Sequence, residues 1–245
     1  KNIKKDVHLA SIAGGTDLVG CLILGNLFSN VYKGEIQGQS LGIDVDVFND
    51  DGKSIVGKGE LVVKKPFPSM PIKFWGDDQG KKYHDAYFSK YKNIWHHGDF
   101  IEITKNNGFI IRGRSDATLN PGGVRIGTAE IYQQVENIDF ITEGLVVGQN
   151  FDNDVRIVLF VTTKNNEELD EKKINLIKSI IRKSCSPKHV PAKIIKTPEI
   201  PRTKSGKIVE LAVRKIINGE EINNIEAIAN PNSLDFFKDL NVLKS

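Results

Sequence analysis

The chain has 245 residues, of which 39% are hydrophobic and 27% are charged, and its formal net charge is +3. This balance is typical of globular domains with a buried core, either one large domain or two smaller ones. The small net charge argues against a dedicated nucleic-acid-binding protein, because such proteins are strongly basic. The longest apolar run, Leu18–Leu24, is far shorter than the ~20 residues that span a bilayer.

The two cysteines, Cys21 and Cys185, stand outside any CxxC motif or Cys/His cluster. We therefore predict that both cysteines are free thiols rather than a disulfide. Free thiols are typical of a reducing compartment, so we expect a cytoplasmic protein. Lys1–Lys5 lacks the apolar core of a signal peptide. Because the first residue is not Met and a strand-like run begins at Val7, we expect the chain to be part of a longer protein.

The first half of the chain is predicted to be mainly β. A β-prone run ends in the glycine-rich segment 13–17, and the Lys105–Gly108 turn joins two strands of a hairpin. The expected strands lie at residues 7–12, 43–48, 59–63, 100–104 and 108–111.

The second half alternates helical and strand patterns, which predicts a small α+β sandwich. A helix is expected from residue 128, with Thr128 as its N-cap. The further elements expected are strands at 144–148 and 156–161, a helix at 171–185, a strand at 194–195 and a helix at 208–217. The composition changes at Ser115–Asp116, so we predict one domain over residues 1–115 and another over 116–245.

Two short motifs carry polar groups beside glycine. Gly14-Gly15-Thr16-Asp17 places a hydroxyl next to a carboxylate, and these groups are able to donate to a phosphoryl oxygen and to hold Mg²⁺. In His97-Gly98-Asp99, the aspartate offers two acceptor oxygens in one plane. Each motif by itself is more often a polar turn than a binding site.

Two further segments are more specific. Residues 113–120 are Gly-Arg-Ser-Asp-Ala-Thr-Leu-Asn, residues 123–127 are Gly-Val-Arg-Ile-Gly, and Glu130-Ile131 follows. Residues 201–207 are Pro-Arg-Thr-Lys-Ser-Gly-Lys. Arginine can bind ribose or phosphate oxygens with two parallel N–H groups, and lysine is a point charge on a flexible stem. A Lys/Ser/Gly loop alone is more often a solvated turn.

In this order, the four segments resemble the signature motifs of the adenylate-forming enzymes, and the resemblance covers about residues 10–245. It implies that ATP and CoA are substrates, with Mg²⁺ as cofactor, and that an acyl-adenylate forms before the CoA thiol attacks. The implied roles are nucleotide binding by Thr16, Asp99, Arg114 and Arg125, metal binding by Asp17, an acyl pocket at Gly14 and Gly15, a hinge at Asp116, CoA contacts at Gly123 and Arg182, and catalysis by Lys207.

Within the superfamily, the segments Tyr32–Gln37, Pro66–Pro71 and Leu145–Gln149 resemble the acetoacetyl-CoA synthetase branch. Related acetyl-CoA synthetases carry a tryptophan where this chain has Gly14, which favours a longer acid such as acetoacetate. Size discrimination of this kind is worth only ~1–3 kcal/mol, so it does not by itself determine the substrate.

The resemblance implies a fold in two parts. Residues 1–115 correspond to the end of a large, mainly β, ATP-binding domain, and residues 116–245 to a small α+β lid that rotates about Asp116. No segment resembles the phosphate-binding loop of the family. We therefore expect the chain to act with a missing N-terminal portion of the same enzyme and to be inactive as a ligase alone.

Two alternatives remain open from the sequence. The chain could come from an amino-acid-activating domain that loads a carrier protein, or it could be a catalytically inactive interaction fragment. The stretch from Arg182 to Lys215 is strongly basic, which suits the phosphates of ATP and CoA. A nucleic-acid patch is less consistent with it because the interleaved aromatic residues of a stacking surface are missing, and neither nucleic acid nor a membrane is expected as a partner.

Overall fold

The structure is a computed structural model that describes residues 4–222 and 225–245. The chain divides into two compact units, Lys1–Ser115 and Asp116–Ser245. The polar stretch of residues 1–5 lies mostly outside the described residues. Within the described ranges, every helix is too short or too polar to cross a membrane.

Two antiparallel sheets form most of the first unit. The smaller sheet has the strand order β1-β2-β3 and the larger sheet has the order β4-β5-β6-β7. These strands are β1 (Ala13–Gly15), β2 (Gly20–Leu24), β3 (Gly38–Gln39), β4 (Val45–Phe48), β5 (Lys58–Val63), β6 (Trp95–Ile103) and β7 (Phe109–Arg114). A short helix, α1 (Lys81–Tyr87), precedes β6.

One hydrophobic core joins the two sheets of the first unit. Leu22 of the smaller sheet packs in the same cluster as Val47, Leu61 and Ile101 of the larger sheet, and all four side chains are fully buried. Full burial of such a side chain contributes ~1.5–3 kcal/mol. The glycine-rich β1–β2 ribbon is therefore held against the same core as β6, which carries the His97-Gly98-Asp99 motif.

Most strand predictions in the first unit are confirmed, and one is wrong. The structure has strands at the predicted positions in β4 and β5, and β6 and β7 form the predicted hairpin, with Ile103 opposite Phe109. Residues 7–12, by contrast, form no strand and are all exposed. Extended pairing begins only at Ala13, where the chain meets β2, because a β-prone run without a partner has no hydrogen-bonding ladder to join. Helix α1 was not predicted.

The second unit is a three-stranded sheet with helices, as the α+β prediction required. β8 (Ile141–Phe151) and β9 (Asp154–Thr163) form a long antiparallel hairpin, and β10 (Lys193–Lys196) adds to β9 in parallel. The helices are α2 (Thr128–Val135), α3 (Glu171–Ser184) and α4 (Glu210–Ile217). Both cysteines of the chain are free thiols, as predicted.

Alternate residues of β8 face two different cores. Val146 packs in the core that includes residues of α2 and α3, whereas Leu145 and Val147 pack in the core that includes α4. This follows from the period of two in a strand, which sends successive side chains to opposite faces of the sheet. The second core is completed by the C-terminal segment, in which Leu234 and Phe237 are buried. The sheet is thus covered on both faces.

Helix boundaries in the second unit differ slightly from the predicted ones. Thr128 is the first helical residue of α2 rather than its N-cap, which is Gly127. The Glu130 carboxylate accepts a hydrogen bond from the Gly127 N–H at 3.3 Å and so satisfies the backbone donor of the N-cap residue. Helix α4 begins at Glu210 instead of Ile208, because Ile208 forms a β-bridge with Arg202.

A hydrogen-bonded tyrosine connects α2, β8 and α4. The Tyr132 hydroxyl donates to the Glu210 carboxylate and accepts a hydrogen bond from the Val146 N–H at 3.1 Å. Burial raises the pKa of the Glu210 carboxyl, and hydrogen bonds from Tyr132 and Thr128 offset part of this effect. The Tyr132 hydroxyl of α2 therefore provides a hydrogen-bond partner for buried polar atoms of β8 and α4.

Replacing Tyr132 by phenylalanine is expected to lower the free energy of unfolding by ~1–3 kcal/mol, because Glu210 loses one of its hydrogen-bond donors and the Val146 N–H loses the hydroxyl that accepts from it. Equilibrium urea unfolding measures this loss. The control is Tyr32→Phe, since the Tyr32 side chain is exposed and its loss should change stability by less than ~0.5 kcal/mol. Equal stability of Tyr132→Phe and the parent chain would contradict the assignment.

Candidate functional site

The Gly14-Gly15-Thr16-Asp17 motif lies at the end of β1 and in the turn that leads to β2. A Cβ atom at Gly14 would lie 2.3 Å from the Gly20 carbonyl oxygen and 2.7 Å from the Cys21 Cα. Glycine is thus needed here for the close approach of two strands. The backbone of β2 lies where a side chain at residue 14 would point, so a larger residue here would require β2 to move.

Thr16 and Asp17 are exposed at the edge of the first unit. The Tyr87 hydroxyl donates a hydrogen bond to the Asp17 carboxylate. Burial raises the pKa of Tyr87 far above its usual value, and the hydrogen bond to Asp17 adds to this effect. The phenol therefore stays protonated and holds one oxygen of the carboxylate, while the second oxygen can face a ligand.

Tyr87 is itself held by stacking. Its ring lies parallel to that of Trp95, with a centroid distance of 3.7 Å and an interplanar angle of 12°. The Trp95 side chain is almost fully buried and also packs edge-on against Phe67, Tyr83 and Phe88. Aromatic pairs of this kind contribute ~0.5–1.5 kcal/mol beyond the area they bury. The position of Asp17 thus depends on an aromatic cluster built on β6 and α1.

Asp99 and Arg114 form an ion pair across β6 and β7. They are opposite each other in the register, and the Arg114 Nη1 donates to the Asp99 Oδ1 at 3.0 Å. Gly98 has a positive φ of 81°, and a Cβ atom there would lie 2.8 Å from the Arg114 guanidinium. The glycine of the His97-Gly98-Asp99 motif therefore lets the arginine approach the aspartate. The structure brings together these two residues, which are 15 positions apart.

Ser115 is bound by a buried carboxylate. Glu60 is fully buried, and it accepts hydrogen bonds from the Ser115 hydroxyl, from the Lys90 ammonium at 2.6 Å and from the His96 ring at 2.9 Å. Burial of a carboxylate is costly unless it is paired and hydrogen-bonded. The last residue of the first unit is therefore tied to the centre of its larger sheet.

Asp116, the next residue, is bound within the second unit. The Arg214 Nη1 of α4 donates to the Asp116 carbonyl oxygen at 2.6 Å. Ser115 and Asp116 are thus neighbours in sequence, yet each is attached to a different compact unit.

Gly123 lines an open groove of the second unit. Gly123 is exposed with a φ of 75°, and the Gly122 N–H donates to both carboxylate oxygens of Asp154 at 2.9 and 3.0 Å. Hydrogen bonds from the N–H groups of Val155 and Gly122 lower the pKa of Asp154. The groove has a volume of about 560 Å³ and is lined by Asn120, Gly123 and residues 150–155.

Lys207 lies in a loop with a defined backbone. The Thr203 N–H donates to the Lys207 carbonyl at 2.8 Å, and the Lys207 N–H donates to the Thr203 hydroxyl at 3.1 Å. Arg202 anchors the loop through hydrogen bonds to the Gly206 carbonyl and the Glu143 carboxylate. The Lys207 side chain is exposed, so the loop presents an ammonium group to solvent from a rigid base.

The remaining predicted site residues are less constrained. Arg125 is half-buried, and its Nε donates to the Thr118 hydroxyl at 3.4 Å. Arg182 is exposed in the last turn of α3. Among the described residues, no group of three or more His, Cys, Asp or Glu side chains is arranged to hold a metal ion, so any cation at Asp17 would need further ligands from substrate or water.

Comparison with known proteins identifies the relatives of this chain, although no family model matches it. It is 58% identical over 246 residues to the acetoacetyl-coenzyme A synthetase of Rhizobium meliloti (strain 1021), an alignment that covers 100% of the chain and 38% of that protein.

The chain is homologous to the C-terminal portion of acetoacetyl-CoA synthetases.

Further relatives agree. The acetoacetyl-CoA synthetase of Xenopus tropicalis is 44% identical over 248 residues, which cover 100% of the chain and 37% of that protein. The solved acetoacetyl-CoA synthetase of Streptomyces lividans superposes with a TM-score of 0.88 at 39% identity, covering 96% of the chain and 36% of that structure. A benzoate CoA ligase from Burkholderia xenovorans, at 21% identity and a TM-score of 0.70 over 84% of the chain and 40% of that structure, shows the shared fold. The chain thus spans less than two-fifths of its acetoacetyl-CoA synthetase relatives.

Sequence analysis did not assign roles to several residues that organise the site. Tyr87, Glu60 and Arg214 reach the motif residues only through contacts between distant parts of the chain. Trp95 holds Tyr87 by stacking. One local signal was available, since Trp95 and His97 alternate on the same strand and therefore face the same side of the sheet.

Proposed function

We propose that this chain serves an ATP-dependent acid–CoA ligase that converts acetoacetate to acetoacetyl-CoA through an acyl-adenylate, with release of AMP and pyrophosphate. The observation that carries the proposal is the 58% identity to the Rhizobium meliloti acetoacetyl-coenzyme A synthetase over the whole chain. The motif residues described above would provide the functional groups for it.

The nucleotide would bind at the edge of the first unit. Asp99 would accept hydrogen bonds from the ribose hydroxyls, and Arg114, already paired with Asp99 at 3.0 Å, would contact ribose or phosphate oxygens. Thr16 would donate to a phosphoryl oxygen, and the second unit would contribute Arg125 on the phosphate side. Guanidinium and hydroxyl groups suit these oxygens because they donate in fixed directions.

Mg²⁺ would be held by Asp17. Magnesium favours oxygen ligands and commonly binds through one or two carboxylates together with substrate phosphates and water. The exposed Asp17 fits this pattern, because Tyr87 occupies only one of its carboxylate oxygens. When bound, the ion would neutralise charge on the phosphates. The turn at Gly14 and Gly15 would provide the wall of the acid site.

The second unit would act as a mobile lid. Rotation near Asp116 would be well defined because Glu60 holds Ser115 in one unit and Arg214 holds the Asp116 carbonyl in the other. One orientation would bring Lys207 to the acid and phosphate for adenylation. The other would bring the groove at Gly123, with Arg182, to CoA. Hinge closure of this kind requires only a few residues to change their backbone dihedrals.

Purified full-length enzyme containing these residues should release pyrophosphate and form a CoA thioester with acetoacetate, ATP, Mg²⁺ and CoA. Acetoacetate should exceed acetate in kcat/KM by about 10-fold, roughly the discrimination available from a methylene or two. The substrates tested should also include amino acids, with a carrier-protein thiol in place of CoA as the acceptor. A preference for acetate, or loading of the carrier protein without CoA thioester, would refute the assignment.

Lys207→Ala is expected to reduce adenylate formation by ~10²–10³-fold, because the ammonium stabilises charge that develops in that step. Thioester formation from supplied acetoacetyl-adenylate should remain close to the parent rate. Separate assays of the two half-reactions measure this. Lys204→Ala is the matched control, since Lys204 is an exposed lysine of the same loop. Equal losses in both half-reactions would show that Lys207 does not act selectively in adenylation.

Asp116→Pro is expected to leave adenylation within a few-fold of the parent and to lower thioester formation by about 10²-fold, a typical effect of misplaced reacting groups. Proline fixes φ near −65° and restricts the preceding residue, so the hinge loses one of its states. Asp116→Ala keeps the backbone free and serves as the control. Single-turnover rates that are unchanged for both steps would place the hinge elsewhere.

A further inference from the structure

We propose that His97 is a positioning residue for the acid site: its neutral imidazole, oriented by Trp95, holds the backbone of Gly14 and Gly15. The inference rests on the proposed function, because it assigns the β1 turn to the acid. His97 is 8% exposed and has no role in the steps described above.

Trp95 determines which nitrogen of the imidazole carries the proton. The indole Nε1–H donates to the His97 Nδ1 at 3.2 Å. An indole N–H can only donate, so Nδ1 must be the unprotonated nitrogen of the ring. The neutral imidazole therefore carries its proton on Nε2, and the ring is a directed donor on the side that faces β1.

The Nε2 side of the ring faces the Gly14-Gly15 backbone. The backbone of Gly14 raises the pKa of His97, as a carbonyl oxygen does when it accepts a hydrogen bond from the ring. The ring also lies so close to β1 that a Cβ atom at Gly15 would be 3.0 Å from Cε1 and 3.6 Å from Nε2. Because Gly15 has no side chain, the imidazole fills the space beside it, and the ring packs against the turn.

Charge in the surroundings is consistent with a neutral ring. Burial lowers the pKa of His97, Asp99 and the Gly14 backbone oppose this effect, and Arg114 and His96 reinforce it. The Asp99 Oδ2 lies 3.6 Å from Nε2, and Asp99 is paired with Arg114. Protonation of Nδ1 would also bring two N–H donors together at Trp95. A neutral ring with a single donor is therefore the form that fits all of its neighbours.

Two substitutions separate the two hydrogen bonds of the ring. In His97→Gln the amide nitrogen can reach the Nε2 position and donate to Gly14, but no acceptor remains for the indole. In His97→Asn the side-chain oxygen can lie near the Nδ1 position and accept from the indole, but no donor reaches Gly14. His97→Gln therefore keeps only the donor to Gly14, and His97→Asn keeps only the acceptor for the Trp95 indole.

Both variants are tested in the full-length enzyme after the parent has been shown to turn over acetoacetate. His97→Asn should lower kcat/KM for the acid by ~10–100-fold, which corresponds to the loss of a buried hydrogen bond. His97→Gln should stay within about threefold, and KM for ATP should stay within about twofold in both variants. An inactive parent would refute the proposed function instead.

The indole ¹H–¹⁵N resonance of Trp95, assigned with Trp95→Phe, gives a readout that does not depend on activity. The resonance should keep its hydrogen-bonded shift in His97→Asn and lose it in His97→Gln. Activity and the indole hydrogen bond would then change in opposite directions, which a purely structural role for His97 does not predict. Activity that follows the indole hydrogen bond or the melting temperature would overturn the proposal.

Gly15→Ala tests the same contact from the other side if the His97 variants fold poorly. Its Cβ would press on the imidazole at 3.0 Å and should lower kcat/KM for the acid while KM for ATP stays constant. Parent-like kcat/KM in Gly15→Ala, with the indole resonance unchanged, would also count against the positioning role.

Discussion

The candidate site of the first unit depends on Trp95, which is buried in an aromatic cluster. Its ring stacks on Tyr87 at 3.7 Å, and its indole N–H binds His97. Tyr87 in turn holds Asp17, and the His97 ring lies against Gly15 of β1. A large rigid ring with one polar edge suits this role, because it fills the core and still fixes the direction of a hydrogen bond. Groups at the solvent edge thus take their geometry from the core behind them.

The second organising feature is the buried Glu60 carboxylate. A charge at this depth is tolerated because Lys90, His96 and Ser115 all donate to it. The cost of burial makes this arrangement hard to rearrange, so Ser115 is a firm end point for the first unit. Together with the hydrogen bond from Arg214 to the Asp116 carbonyl, it gives the proposed hinge two rigid flanks.

The second unit combines a stable sheet with exposed functional loops. The β8–β9 hairpin is covered on both faces by hydrophobic cores, while Gly123 and Lys207 lie in exposed turns held by hydrogen bonds. Loops held in this way can present side chains to solvent while the sheet behind them keeps its structure.

The sequence alone was sufficient to predict most strands and helices, the α+β character of the second unit and the adenylate-forming relationship, because periodicity and motifs are local properties of the chain. It did not predict the strand at Ala13–Gly15, the close packing of β2 against Gly14, or the partners of Glu60 and His97. Only the tertiary structure decided these features, because strand register and side-chain contacts join residues that are far apart in sequence, and their energies arise when the core assembles.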